Sequence, residues 1–364
     1  MQPSTAEELA RLKNEDNSSQ VVPMDIALGI DILPFKMTRE MMCEVSFWAQ
    51  NQTSFEATQE IIYKVHGVLI GTTTIRRIAN YVGRIIFEQD TKEANEMYKM
   101  INAITYTKKT RGILYIQMDG AALNTRTKDK DGSSWRENKL GMVFSSDNIR
   151  TTINKKGEKS NKILKKEYTS YIGSVNEFKK YLFACAVKNG YGRYEKTIIL
   201  SDGATWIRNM CEELFPDALH ILDLFHLCEN TYSFAKAIFK NDESKYIPWA
   251  EDIIKKLKNS ETDDVLGILK KLKHRKLPKG VVNLFNYVNN NIGRIDYKKY
   301  IENGYFVGSG AIESGNKVVL QKRLKLAGMR WNDITAQYLL SLRTKCESGL
   351  WLNSVVKTIS TYKF

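Results

Sequence analysis

Two apolar, β-branched stretches that each run into Asp-Gly constrain this chain more than any other feature. They are RGILYIQMDGAAL from residue 111 and KTIILSDG from residue 196. Runs of this length bounded by turn residues read as buried strands. NKLGMVFSSD, EYTSYIG and ALHILDLFH are three more strand candidates. SVNEFKKYLFACAVKNGYG reads as a helix with Ser174 as N-cap and Gly190 near its end, and ATWIRNMCEELFPD as one stopped near Pro216. The resulting order is β-β-β-α-β-α-β, three strands in succession and then alternation. It predicts an α/β fold with a mixed five-stranded sheet. The lysine-rich stretch NIRTTINKKGEKSNKILKK reads as a basic hairpin or loop.

The chain on either side is helical in texture. Residues 38–65 read as two helices, capped by Thr38 and Ser54. The turn HGVLIG and the helix TTTIRRIANYVGRIIFEQ come next, with Arg76 and Arg77 early in that helix, a helix-turn-helix pattern. Residues 227–300 offer no convincing strand. Their aromatic residues Tyr246, Trp249, Tyr297 and Tyr300 suit helix packing or a nucleic-acid surface. GYFVGSGAIESGNKVVLQKRLKLAG then opens on glycines and leads into a basic helix, and a final helix comes after it with Asp333 as its expected cap. This gives a flexible leader at 1–22, a helical region at 23–110, an α/β part at 111–226, an all-α stretch at 227–305 and a closing part at 306–364.

Charge sharpens the division. The 364 residues carry 55 Lys+Arg and 41 Asp+Glu, a formal net charge of +14. Residues 1–110 hold 12 basic and 14 acidic side chains, so the whole excess lies after residue 110. A basic body suits a polyanionic partner, with nucleic acid first in line. Five widely spaced cysteines without a CxxC pair exclude a disulfide scaffold and a cysteine zinc module, and point to a reducing cytoplasm. No apolar run reaches the roughly 18 residues of a membrane helix, and the polar N-terminus has no secretory h-region.

Three acids stand out by position. Asp119 and Asp202 follow apolar strands, and Glu313 sits in the first turn of the helix behind GSGA. Carboxylates at strand ends facing a crevice need a partner cation. Hard oxygen donors without cysteine suit Mg²⁺ or Mn²⁺, and two such ions about 4 Å apart suit in-line attack on a phosphodiester. Each feature also has an ordinary reading. Asp-Gly after a strand is a common turn, and a glutamate in a first helical turn compensates the dipole.

MDGAALNTR, ILSDGATWIRNM, FPDALHILDLFHLCE and GSGAIESGNKVVLQKRLKLAGMRW, with VPMDIALGI before them, carry a resemblance. Over roughly residues 22–350 the chain resembles DDE transposases of bacterial insertion sequences, and most closely the ISLre group. The resemblance implies an RNase H-like sheet interrupted by an all-α insertion. It implies a DNA transposase that cuts transposon ends by metal-dependent hydrolysis and joins them to target DNA by transesterification. Asp119, Asp202 and Glu313 match the family's metal-binding acids, holding two Mg²⁺ that Mn²⁺ replaces. Asp223 and His226 match its D-x-x-H motif in a supporting role. Lys317, Lys322, Arg323, Lys325 and Arg330 are the expected phosphate contacts. Trp331, Trp135 and Arg136 stay open between core and DNA, while His66, His220 and His274 read as structural or surface residues.

The expected partners are terminal repeats and target DNA, bound by a homo-oligomer at the nucleoid, with no membrane. Group members usually begin with a cysteine-containing, zinc-ribbon-like segment, but no cysteine precedes Cys43 here. The front therefore reads as shortened. A nuclease or resolvase without strand transfer, or a truncated non-catalytic DNA-binding copy, are the competing readings.

Overall fold

A computed structural model describes residues 23–103, 110–153 and 159–363. The proposed leader at 1–22 lies outside them.

The helices at the front are α1 (Pro23–Ala27), α2 (Arg39–Asn51), α3 (Phe55–His66) and α4 (Thr72–Lys99). The expected caps form: the Thr38 hydroxyl accepts from Met41 N–H at 3.3 Å and the Ser54 hydroxyl from Ala57 N–H at 3.1 Å. Gly67 ends α3 in the left-handed region, at φ 68°. The sheet is built from β1 (Thr110–Asn124), β2 (Trp135–Ser145), β5 (Glu167–Ile172), β6 (Tyr194–Ser201) and β7 (Leu219–Leu222). The basic stretch after β2 forms an antiparallel ribbon of β3 (Ile149–Ile153) and β4 (Lys159–Ile163). Two helices lie within the run of sheet strands, α5 (Val175–Lys188) and α6 (Thr205–Leu214).

The sheet order is β5-β2-β1-β6-β7. β2 is antiparallel to β1 and β5, whereas β6 and β7 run parallel to β1. This is the mixed five-stranded α/β sheet the sequence predicts. Alternation along β1 makes two cores. Leu114, Ile116 and Met118 pack with α5 and α6 on one face, while Tyr115 and Leu123 join the cluster on the other.

That second face is covered by the helices after β7: α7 (Leu224–Ile238), α8 (Glu243–Lys258), α9 (Thr262–Lys270), α10 (Leu284–Asn290) and α11 (Tyr297–Glu302). Their Leu227, Phe234, Ile253 and Val288 belong to one apolar cluster with Leu140 and Met142 of the sheet. Tyr297 and Tyr300 are buried there, and the Tyr297 hydroxyl donates to the Leu222 carbonyl at 3.0 Å.

The chain closes with α12 (Gly310–Asn316), a π-helical stretch at Lys317–Gln321, α13 (Lys322–Leu324), α14 (Asp333–Glu347), a π-helical stretch at Trp351–Val356 and α15 (Lys357–Thr361). Leu342, Val355 and Ile359 join the core of α2, α3 and α4. Two buried arginines tie the front to the back. Arg323 Nε donates to Ala49 O at 3.0 Å, and Arg343 Nη1 donates to Gln50 O. Both carbonyls lie in the last turn of α2, where no intrahelical donor reaches them.

Three local expectations change. β1 does not end at Asp119-Gly120 but continues to Asn124, and Gly120 pairs with Lys139 in the β1–β2 ladder. The last strand is only Leu219–Leu222, because the Asp223 carboxylate starts α7 by accepting from Phe225 N–H and His226 N–H. Asn332, not Asp333, caps α14, accepting from Ile334 N–H at 3.1 Å. Asp333 instead pairs with Arg136 at 3.4 Å.

Candidate metal and nucleic-acid site

The parallel ladders set the site. Gln117 on β1 is level with Leu200 on β6, and Ser201 on β6 is level with Leu222 on β7. Continuing those registers brings Asp119, Asp202 and Asp223 into one row across three neighbouring strands. Neighbouring strands lie about 4.8 Å apart, so the row concentrates negative charge. Asp119 feels the Asp202 charge. Burial pushes the Asp119 carboxyl above its usual range and the Asp202 charge adds to the rise, while the Gly120 N–H, Asn316 and His226 oppose it. Neither Asp119 nor Asp202 precedes a left-handed glycine, since Gly120 and Gly203 both keep φ outside that region. Gly203 is needed for space, because a Cβ there would stand 2.5 Å from the Tyr287 ring.

Helix α12 is brought over this row by hydrogen bonds. Gln117 Oε1 accepts from Ile312 N–H at 3.1 Å, and Asn316 Nδ2 donates to Asp119 Oδ2 at 2.7 Å. Asp223 is fully buried and all its lone pairs are used. Oδ1 accepts from Phe225 N–H at 3.1 Å and Ser309 N–H at 2.9 Å. Oδ2 accepts from the Ser309 hydroxyl at 2.6 Å and His226 N–H at 3.4 Å. Asp223 thus caps α7 and clamps the entry to α12.

Glu313 lies on α12 one turn before Asn316. Its ligand atoms and those of Asp223 and His226 fall within 4.8 Å of one another, and this is the one such three-residue group found among the described residues. Asp119 and Asp202 stand beside that group, not inside it. Glu313 Oε1 and Asn316 Oδ1 are buried oxygens without a hydrogen-bond partner among the described residues. Burying acceptors without donors is costly, and a hard cation is the ligand that such oxygens suit. His226 sits between acids: Nδ1 is 3.1 Å from Glu229 Oε2 and Nε2 is 3.8 Å from Asp223 Oδ2. Burial disfavours its cation, but Glu229, Asp223 and Asp202 outweigh burial and raise its pKa.

The basic set divides. Lys317, Lys322, Lys325 and Arg330 are exposed, and Lys325 lies over the Trp135 ring. Arg323 does not belong with them. It is 1% exposed, its guanidinium is held by Ala49 O and Thr53 O, and it lies between the Phe55 and Trp331 rings. It is a packing residue, not a surface phosphate contact. Trp331 is core as well, donating to Leu324 O at 2.9 Å. Arg136 is occupied by Asp129 and Asp333, while Trp135 stays half exposed. His220 is half-buried against Ser201 and Arg294, and His66 reaches Glu44. Gln117, Ser309 and Asn316 were missed by sequence reasoning. Asn316 had a signal, since three residues beyond Glu313 is the same helical face.

The sheet order, its strand directions and the acids along its parallel strands define an RNase H-like α/β protein. The chain belongs to the Uncharacterised protein family (UPF0236), whose model matches residues 49–357. Comparison with curated proteins gave no match. Among solved structures the chain is similar to the Drosophila P element transposase strand transfer complex. The identity is 10%, the match covers 95% of this chain and 99% of that one, and the TM-score is 0.39. So distant a likeness assigns nothing to this chain. No helix of the described residues is long and apolar enough to cross a membrane.

Proposed function

We propose that the chain is a DNA transposase of the insertion-sequence type its motifs resemble, cutting transposon ends and joining them to target DNA. The observation that carries this reading is the row of Asp119, Asp202 and Asp223 with Glu313 laid over it from α12. Asp119, Asp202 and Glu313 are the proposed metal-holding acids. The donor set is oxygen-rich and includes the unpartnered Glu313 Oε1, which suits Mg²⁺ or Mn²⁺. Two such ions, when bound, supply activation of the attacking water or 3′-hydroxyl and neutralise charge at the leaving oxygen.

The chain's own groups do the rest. Asn316 holds the Asp119 carboxylate in place through Oδ2. Asp223 and Ser309 fix the position of α12 relative to β7. Glu229, Asp223 and Asp202 raise the pKa of His226 against its burial, which favours the imidazolium beside the row. Lys317, Lys322, Lys325 and Arg330 contact the DNA backbone, and a homo-oligomer at the nucleoid brings the element's ends together.

The test is Asp119→Asn and Glu313→Gln in a plasmid assay with an element end and Mg²⁺. Both variants are expected to lose cleavage and strand joining by about a thousandfold or more, as loss of transition-state charge stabilisation predicts. Wild-type rates in either variant refute the assignment. Cleavage without any joined product in the wild type replaces it with a nuclease.

A further inference from the structure

We propose that a cleft away from the acid row, walled by Arg76, Arg77, Arg126 and Arg330 with Arg323 among its lining, is a seat for the DNA phosphate backbone. This inference rests on the transposase reading and adds to it a second binding site.

The cleft has a volume of about 560 Å³, and its lining counts five arginines against one acid, Glu56. Its parts come from three distant segments. Arg76 and Arg77 project from the second turn of α4. Arg126 follows β1 and Arg330 precedes Trp331, and these two stretches are joined as one piece: Arg126 N–H donates to Trp331 O at 2.7 Å, and Trp331 N–H to Asn124 O at 3.1 Å. Arg76, Arg77, Arg126 and Arg330 are exposed, and their guanidinium groups make no hydrogen bond or ion pair with a described residue.

Four like charges converging on one space repel each other, so an anionic occupant lowers the energy of the arrangement. Arg323 adds to the lining a buried positive charge that backbone carbonyls hold, at 1% exposure.

Guanidinium forks match phosphate oxygens in pairs. The cleft holds more than a single phosphate needs, and its arginines are spread over two walls, as successive phosphates of a strand require. Arg126 lies seven residues beyond Asp119, roughly 23 Å along an extended chain at 3.3 Å per residue, or about seven base pairs of duplex. One DNA segment can therefore touch both sites.

The experiment is fluorescence anisotropy with a 40-base-pair duplex in metal-free buffer, comparing the wild type with R76A/R77A and R126A/R330A. Both pairs are exposed, so the folded chain tolerates their loss. Each double variant is expected to lose affinity about tenfold or more and to reduce the salt slope of log K by about 2. Calorimetric Mn²⁺ binding is expected to stay unchanged. Affinity and slope equal to wild type in both variants overturn the proposal. So does a cleft that takes only small polyphosphates, seen as tripolyphosphate binding lost in the variants while duplex affinity holds. An Asp119→Asn enzyme that still cuts DNA refutes the transposase reading and leaves this binding result standing.

Discussion

Asp223 offers the sharpest test of how the site is held. It lies near two metal-ligand candidates, so it is either a ligand or a clamp. The hydrogen bonds argue for a clamp: four donors, two from the first turn of α7 and two from Ser309, saturate both oxygens. Asp223→Ala removes the helix cap, about 1 kcal/mol. It also strands the Ser309 N–H and hydroxyl at a residue only 3% exposed, about 1–3 kcal/mol for each unsatisfied group. The expected loss is about 3–7 kcal/mol. Asp223→Asn keeps one accepting oxygen and should cost about half as much. Guanidinium denaturation in metal-free buffer measures both, and Mn²⁺ calorimetry on Asp223→Asn supplies the second readout. A clamp predicts a large stability loss in the alanine variant and Mn²⁺ affinity within a few-fold of wild type in the asparagine variant. If Asp223→Ala costs less than about 1 kcal/mol, a loss too small for four saturated bonds, the clamp is wrong. It is also wrong if Asp223→Asn abolishes Mn²⁺ binding while remaining as stable as wild type.

Three further outcomes are expected. Glu313→Gln should leave the melting temperature unchanged or slightly raised, because Oε1 gives up no protein hydrogen bond, while Mn²⁺ binding falls; differential scanning fluorimetry with and without Mn²⁺ reads both. Gly315→Ala should destabilise by about 1–3 kcal/mol, since its Cβ would stand 2.8 Å from the Tyr168 ring and 3.4 Å from Leu140; denaturation midpoints check it. Burial, with Arg294 adding, lowers the His220 pKa to about 3, so the folded state binds fewer protons there than the unfolded state does. This stability is fully present above the unfolded value near 6.5 and is lost as pH falls toward 3, by up to about 1.4 kcal/mol per pH unit. His220→Gln should flatten the stability profile between pH 6.5 and 5, and an unchanged profile refutes the linkage.

The strands, their order along the chain and the three capping residues Thr38, Ser54 and Ser174 were legible because apolar runs and caps are local signals. Arg323 was not. The run KRLKLAG suggests one charged face with Val318 and Leu326 buried, a reading that assumes 3.6 residues per turn. The π-helical stretch at Lys317–Gln321 adds a residue to the turn and rotates the side chains beyond it by about 100°. Arg323 turns inward, and Leu326, beyond the end of α13, is 37% exposed. The site row was half legible. Asp119 and Asp202 stand out visibly behind apolar runs, but Asp119 lies inside β1 and the alignment of the two depends on the β1–β6 register, which no local pattern encodes. Asp223 read as part of a motif, whereas its saturation by Ser309 is a contact across 86 residues.

That dependence on distant contacts also says how the site is assembled. α12 has seven residues and contains Gly315, too short to hold its shape alone in water. Its place over the acid row is fixed by a few bonds that reach far along the chain. Ile312 N–H meets Gln117 across 195 residues, Asn316 meets Asp119 across 197, and Ser309 meets Asp223. Beside them Leu224 N–H donates to Val307 O at 2.9 Å and fastens the segment leading into α12 to the start of α7. Two of these bonds end on β1 and two on the residues that follow β7. Glu313 is therefore held over the row by β1 and the start of α7 together. The proposed metal-holding geometry depends on β1 and the end of β7, while the proposed arginine cleft depends on a different joint, between β1 and Trp331. The two sites share β1 as their common rigid element, and that strand sets the spacing between the place where DNA would be held and the place where it would be cut.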